Sequence, residues 1–286
     1  MTVTTGLSLL VFTLVDANDA GWLSAQTLGL AAVAVALLTA FVVVEQRSKA
    51  PLVPFGIFRK RTITGTNVVG LLVAMALFSM FFFVSLYMQM VLGYDALEAG
   101  LAYLPLAVGI IISAGVASAL VTRFGFKPVL VAGMVLTAIG LIWFSQVEVG
   151  GTYVGDILFP SLIAAVGLGF AFVPMTIAAV SGVAPHETGL ASGLINTSQQ
   201  VGGALGLAIL ASIANSRTDE LMQAAQGAQS ALPSALTEGF QLAFIVGAGF
   251  AVLGAILAAT LISSKESRAH AEAAQSGEVA PVPVAA

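Results

Sequence analysis

TITGTNVVGLLVAMALFSMFFFVSLYMQMVL, residues 62–92, has no charged side chain anywhere between Arg61 and Asp95. A helix rising about 1.5 Å per residue needs roughly 20 apolar residues to cross the hydrocarbon core of a bilayer. This stretch has a surplus, which predicts a spanning helix that tilts or emerges from the membrane. The same test on either side finds seven more apolar segments, at 2–15, 25–44, 99–121, 128–146, 156–179, 189–214 and 239–262. All but the first are long enough to span; residues 2–15 reach only about 21 Å. The expected fold is an all-α, polytopic membrane helical bundle of about eight transmembrane helices.

Composition agrees. Of the 286 residues, 58% are hydrophobic and 8% charged, with a mean hydropathy of +1.02. A soluble domain needs far more charge to cover its surface. The lipid bilayer is therefore the first partner. The net charge of −4 is small and the sequence has no basic stripe, so nucleic acid is not a partner. Without cysteines, thiolate metal sites and disulfides are excluded. The opening MTVTTGLSLLVFTLVDA has no basic residue ahead of its apolar stretch and does not read as a cleaved leader; it starts inside something hydrophobic.

Charge in the connections gives an orientation. Arg47, Lys49, Arg59, Lys60, Arg61, Arg123, Lys127, Lys265 and Arg268 fall on one side if all eight segments span, and only Arg217 falls on the other. The positive-inside rule then places both termini in the cytoplasm of a cell-membrane protein. If residues 2–15 do not span, the N-terminus lies outside. Residues 50–61, APLVPFGIFRKR, read either as an interfacial element or as a plain cytoplasmic loop, and residues 264–286 as a disordered tail.

Within the eight cores, past the boundary residue Asp156 that opens segment 156–179, there is no Asp, Glu, Lys, Arg or His. Intramembrane charges mark proton relays, ion pathways and catalytic acids or bases. Their absence argues against a self-contained pump, a voltage sensor or a membrane hydrolase. His186 and Glu187 begin an H-E-x-x-H pattern, but Leu190 replaces the second ligand, so no metal site and no enzyme are expected.

Neutral polar residues stand in their place. At 100° per residue, Gly189, Gly193, Asn196, Gln200 and Gly203 share an arc of about 80° on one helix, with Gln199 beside it. Close helix packing through Gly189, Gly193 and Gly203 explains the arc; so does a polar cavity wall formed by Asn196, Gln199 and Gln200. On residues 62–92, Asn67, Phe78, Phe81, Ser85, Met88 and Gln89 share a broader face. Aromatics, Met and a few amides suit bulky apolar compounds, though ordinary bundle packing accounts for them too.

The loop SALVTRFGFKPVLVAG, residues 118–133, resembles the loop signature of the major facilitator superfamily, G-x-x-x-D-R-x-G-R-K/R. Arg123, Gly125 and Lys127 match, while Ser118, Thr122 and Phe126 depart from it. LGYDALEAGLAYLP at 92–105, APHETGLASGLINTSQQVGGALGLAI at 184–209 and GFQLAFIVGAGFAVLGAILA at 239–258 resemble the fourteen-helix drug:proton antiporter branch of that family. APLVPFGIFRKR resembles the lead-in to its C-terminal domain.

The resemblance implies a registration and a function. Residues 1–45 correspond to two linker transmembrane helices, 46–61 to a cytoplasmic interfacial loop, and 62–263 to the C-terminal six-helix domain of a major facilitator fold. It implies part of a multidrug efflux transporter that exchanges amphipathic small molecules for protons and needs no cofactor. Arg123, Gly125 and Lys127 then belong to a cytoplasmic gate loop. The family's coupling acids lie mainly in its N-terminal six helices, so the chain alone is expected to be inactive. The alternative is a half-sized membrane protein that forms a homodimer or pairs with a partner carrying the missing N-terminal half.

Overall fold

The computed structural model describes residues 2–48, 51, 53–181, 183–184 and 187–276. Lys49, His186 and tail residues 277–286 lie outside the described residues. Backbone N–H and C=O groups have no water to bond in hydrocarbon, so each apolar segment closes its hydrogen bonds internally as a helix. The α-helices are α1 (Thr2–Ala20), α2 (Ala25–Arg47), α3 (Arg61–Leu86), α4 (Ala96–Ala102), α5 (Leu104–Phe124), α6 (Phe126–Phe144), α7 (Phe159–Val180), α8 (Thr188–Ala224), α9 (Leu232–Leu261) and α10 (Ser264–Gln275). No strand occurs among the described residues.

Among the described residues, six helical stretches are long and apolar enough to cross a membrane: Ala25–Arg47, Arg61–Val91, Ala96–Phe124, Phe126–Phe144, Tyr153–Val180 and Gln229–Leu261. The chain is thus an all-α, multi-pass membrane bundle. Among the described residues α1 carries a shorter apolar stretch, Thr2–Leu14. Helix α8 dilutes its apolar residues with amides and hydroxyls and becomes charged from Arg217 onward.

Local chemistry sets the ends. Ser24 caps α2, its Oγ accepting from the Thr27 backbone N–H at 3.1 Å. Asp95 and Glu98 form a reciprocal capping box on α4. Gly125, at φ +84°, makes the turn from α5 to α6 by itself.

Small residues then let the helices approach. On α6 and α7, a Cβ added to Gly133 would stand 2.5 Å from the carbonyl carbon of Phe170, and one at Gly167 would stand 2.5 Å from the Thr137 nitrogen. On α8, Gly202 lies against the Leu71 backbone of α3, and a Cβ at Gly206 would fall 2.5 Å from the Met75 Cα. Gly202 and Gly206 are thus the backbone contacts of a small-xxx-small seam. Phe83, Phe144 and Phe244 meet at the centre of α3, α6 and α9, with ring centroids 5.3 Å apart for Phe144–Phe244 and 6.3 Å for Phe83–Phe244. The α1–α2 hairpin leans on α8, and Trp22 in its turn donates from Nε1 to Ser212 Oγ at 3.0 Å.

Three expectations are corrected. Gly189 and Gly193 do not pack: a Cβ at either would meet nothing within 4 Å. Gly203 does pack, but against the Phe78 ring, 2.8 Å from an added Cβ. Met88 does not share the open face of α3; it is fully buried. Residues Tyr87–Val91 form a π-helical turn, whose wider winding rotates the side chains along it and ends the 100° register. The tail is not disordered throughout: Ser264–Gln275 is helical, started by Ser263, whose Oγ accepts from the Glu266 N–H at 3.3 Å.

The seam is open to test. Gly206→Leu forces a side chain into the Met75 backbone and should destabilise the bundle by about 1–3 kcal/mol, as overpacking does. Gly193→Leu should leave thermal unfolding in detergent unchanged.

Candidate functional site

Two places gather polar residues that the core does not need. The first is the outer side of α8. Asn196 and Gln200 are one helical turn apart, both exposed, on a helix whose Ala191, Ile195, Gly202 and Gly206 are buried. Together with Thr197 and Ala204 they wall a cleft of about 670 Å³ against Leu7, Ser8, Val11 and Phe12 of α1. Neither amide has a hydrogen-bond partner among the described residues, whereas Thr197 bonds back to the Gly193 carbonyl at 2.8 Å. The cleft therefore pairs an apolar wall with amides free to bond a guest, at the volume of a small-molecule site.

The other expected cavity residues go elsewhere. Gln199 turns toward α7, its Nε2 4.0 Å from Met175 Sδ. Asn67 is buried and ties α3 to α8: its Nδ2 donates to the Ile63 carbonyl at 2.9 Å and its Oδ1 accepts from Ser198 Oγ at 2.9 Å. Phe81 lies beside Tyr103 with ring centroids 5.3 Å apart, and the Tyr103 hydroxyl donates to the Phe81 carbonyl at 2.7 Å. Gln89 folds onto Ser85, Nε2 to Oγ at 2.8 Å. Phe78 remains half exposed over Gly203. No α3 residue is among the described walls of the α1–α8 cleft. Ser8 and Phe12 carried no polar periodicity that would have flagged them; only the packing of the hairpin brings them in.

The second place is the loop between α5 and α6. Gly125 lies so close to the Ser267 backbone and hydroxyl of α10 that a side chain would not fit. Ser267 is 2% exposed, and its Oγ accepts from the Lys127 backbone N–H at 3.0 Å. Lys127 Nζ donates to Ser264 Oγ at 2.9 Å, and Gln275 Nε2 donates to the Thr122 and Arg123 carbonyls at 3.0 and 3.3 Å. The Arg123 guanidinium sits over the Phe124 ring, 5.2 Å from its centroid. His270 packs on Phe126, centroids 5.9 Å apart, and burial holds its imidazole below the ordinary value. The three loop residues are therefore one unit, latched by a helix that composition alone hid. One signal for that helix was present: Ser263 followed three residues later by Glu266 is a helix-start pattern.

Boundary acids are engaged locally. Asp16 Oδ2 accepts from Gln26, Asp95 and Glu98 cap α4, and Asp156 Oδ2 accepts from the Thr152 N–H at 2.7 Å. Among the described residues no cluster of three or more His, Cys, Asp or Glu is placed to hold a metal.

Comparison with known proteins places these features in context. A family model described as Major Facilitator Superfamily matches residues 1–207. The puromycin resistance protein pur8 of Streptomyces alboniger is 30% identical over 267 residues, covering 92% of this chain and 53% of that protein. The cephamycin export protein CmcT of Amycolatopsis lactamdurans is 37% identical over 223 residues, 75% of this chain and 45% of that protein. The tetracenomycin C resistance and export protein of Streptomyces glaucescens is 35% identical over 215 residues, 74% and 39% respectively. The chain spans about half the length of the curated relatives it matches.

The latch is testable. Ser267→Ala leaves the Lys127 N–H without its acceptor and should weaken α10 docking by about 1–3 kcal/mol, the cost of a stranded buried donor. Faster hydrogen exchange across 264–275 reads it. Acid should act in the same direction. The undocked His270 binds a proton more readily than the docked one, so docking is full above pH about 6.5 and is lost as pH falls through the lowered value. His270→Gln should remove that pH dependence.

Proposed function

The chain belongs to the Major Facilitator Superfamily, and from that premise we propose that it is the C-terminal portion of a multidrug efflux transporter exchanging amphipathic compounds for protons. In this reading eight segments span, with α1 and α2 as the linker pair and α4 and α5 counted as one span. Both termini face the cytoplasm, where the basic residues of the connections gather. Helix α8 crosses despite its amides because its glycine seam buries one side against α3.

The observation that carries the reading is Asn196 and Gln200. Two unpaired amides on a helix in a membrane bundle are costly unless something satisfies them. A passing solute, held by adaptable hydrogen bonds against the α1 wall, does so without demanding one fixed shape. The relatives are named for resistance to or export of puromycin, cephamycin and tetracenomycin C, which supports small organic compounds as the cargo class.

Transporters of this architecture rock two domains around a midplane site. The chain supplies one side of that site, and the latched loop around Arg123, Gly125 and Lys127 lies at the cytoplasmic gate. Proton coupling rests on acids outside this chain, since the acids within its spans lie toward helix ends and are engaged locally: Glu45 by the Val53 N–H, Glu98 in its capping box, Asp156 by the Thr152 N–H and Glu238 by Arg217. Reconstituted alone in proteoliposomes, the 286-residue chain should show no drug-dependent proton flux. Flux should return when it is joined to an N-terminal six-helix domain and fall at least about tenfold with Asn196→Leu plus Gln200→Leu, the loss of two hydrogen bonds to solute. Robust flux from the chain alone would overturn the reading.

A further inference from the structure

A second cavity, of about 580 Å³, lies on the flank of the bundle where α6 meets α10. One end of the cavity, along α6, is apolar, with Val131 and the exposed Ala132, and the exposed Phe124 lines the cavity from the end of α5 beside the Gly125 turn. Its other end holds Lys127, Arg268 and Ser264. Lys127 and Ala132 are five positions apart on one helix, so the two ends are separated by about 7.5 Å along the α6 axis. The apolar end belongs to a span, Phe126–Phe144, and the basic end lies at its first turn. The cavity thus crosses from hydrocarbon depth to the membrane surface.

Charge decides the occupant. Lys127 and Arg268 have no carboxylate within ion-pair reach among the described residues. Lys127 Nζ spends one of its three donors on Ser264 Oγ, and the Arg268 guanidinium keeps its planar fork of donors. Lys265 stands with Arg268 at an adjoining depression; Glu272, one turn further along α10, lines that depression too but forms no ion pair with Arg268. A free anion would satisfy the basic end and leave the apolar end empty. A neutral lipid would do the reverse.

We infer that this cavity is a site for an anionic phospholipid, whose phosphate sits between Lys127 and Arg268 and whose acyl chain runs down past Val131 and Ala132. Basic pockets at the ends of membrane helices hold anionic headgroups in this way, with two cations and an apolar wall acting together. The bound lipid bridges α6 and α10, and so bears on the latch over the gate loop. The site needs only that α6 spans the membrane, not that the transport reading holds.

The chain has no cysteine, so Ala132→Cys introduces a single label position. The full chain carries bimane there in phosphatidylcholine vesicles that contain either brominated phosphatidylglycerol or brominated phosphatidylcholine. Half-quenching should need an about thirtyfold lower mole fraction of the anionic lipid, the gain from two basic groups at the surface. Lys127→Gln with Arg268→Gln should abolish that difference. Equal quenching by the two lipids overturns the proposal, and so does a preference that survives the double substitution. Loss of the preference on adding inorganic phosphate at constant ionic strength also overturns it, because a free anion would then hold the site as well as the lipid does. Drug flux enters none of these readings.

Discussion

A polar group inside hydrocarbon must find its partner within the protein, and the rest of this structure depends on that demand. Threonines 66, 137 and 176 bond back to carbonyls one turn earlier. Asn67 divides its amide between its own helix and Ser198, and Ser113 donates to the Ala165 carbonyl of α7 at 3.0 Å. Each of the last two pairings holds a pair of helices in register. Against this background the buried Ser79 hydroxyl has no partner among the described residues, and the exposed amides of Asn196 and Gln200 have none either.

The helices were legible in the sequence because charge stops where hydrocarbon begins. Segment 128–146 became α6 at Phe126–Phe144, and 25–44 became α2 at Ala25–Arg47. Faces were less legible, for two physical reasons. Angular arithmetic assumes an unbroken α-helix, and the π-turn at Tyr87–Val91 breaks it, which sends Met88 into the core. The same arithmetic finds an arc but not its neighbour. It groups Gly189, Gly193 and Gly203 with the amides, although the α3 backbone meets Gly202 and Gly206 instead. Composition misled at α10, where a charged, Ala-rich helix sorts its small residues to one side and docks through Ser267 and Ala271.

The hairpin of α1 and α2 shows how a membrane protein adds an element without rebuilding its core. It touches the bundle mainly through α8, by the Trp22–Ser212 bond and the cleft wall of Leu7 and Phe12. One wall of the candidate site is therefore contributed by helices outside the aromatic core of Phe83, Phe144 and Phe244. A wall that is not part of the core can shift without disturbing it.

The contact between Ser267 and Lys127 joins residues 140 positions apart. A ribosome delivers the chain from its N-terminal end, so the loop at Gly125 emerges well before the helix that closes over it. Until α9 is threaded and α10 is made, that loop has no cover from Ser267, so it takes its final shape only late, after two further helices have followed α7 and α8.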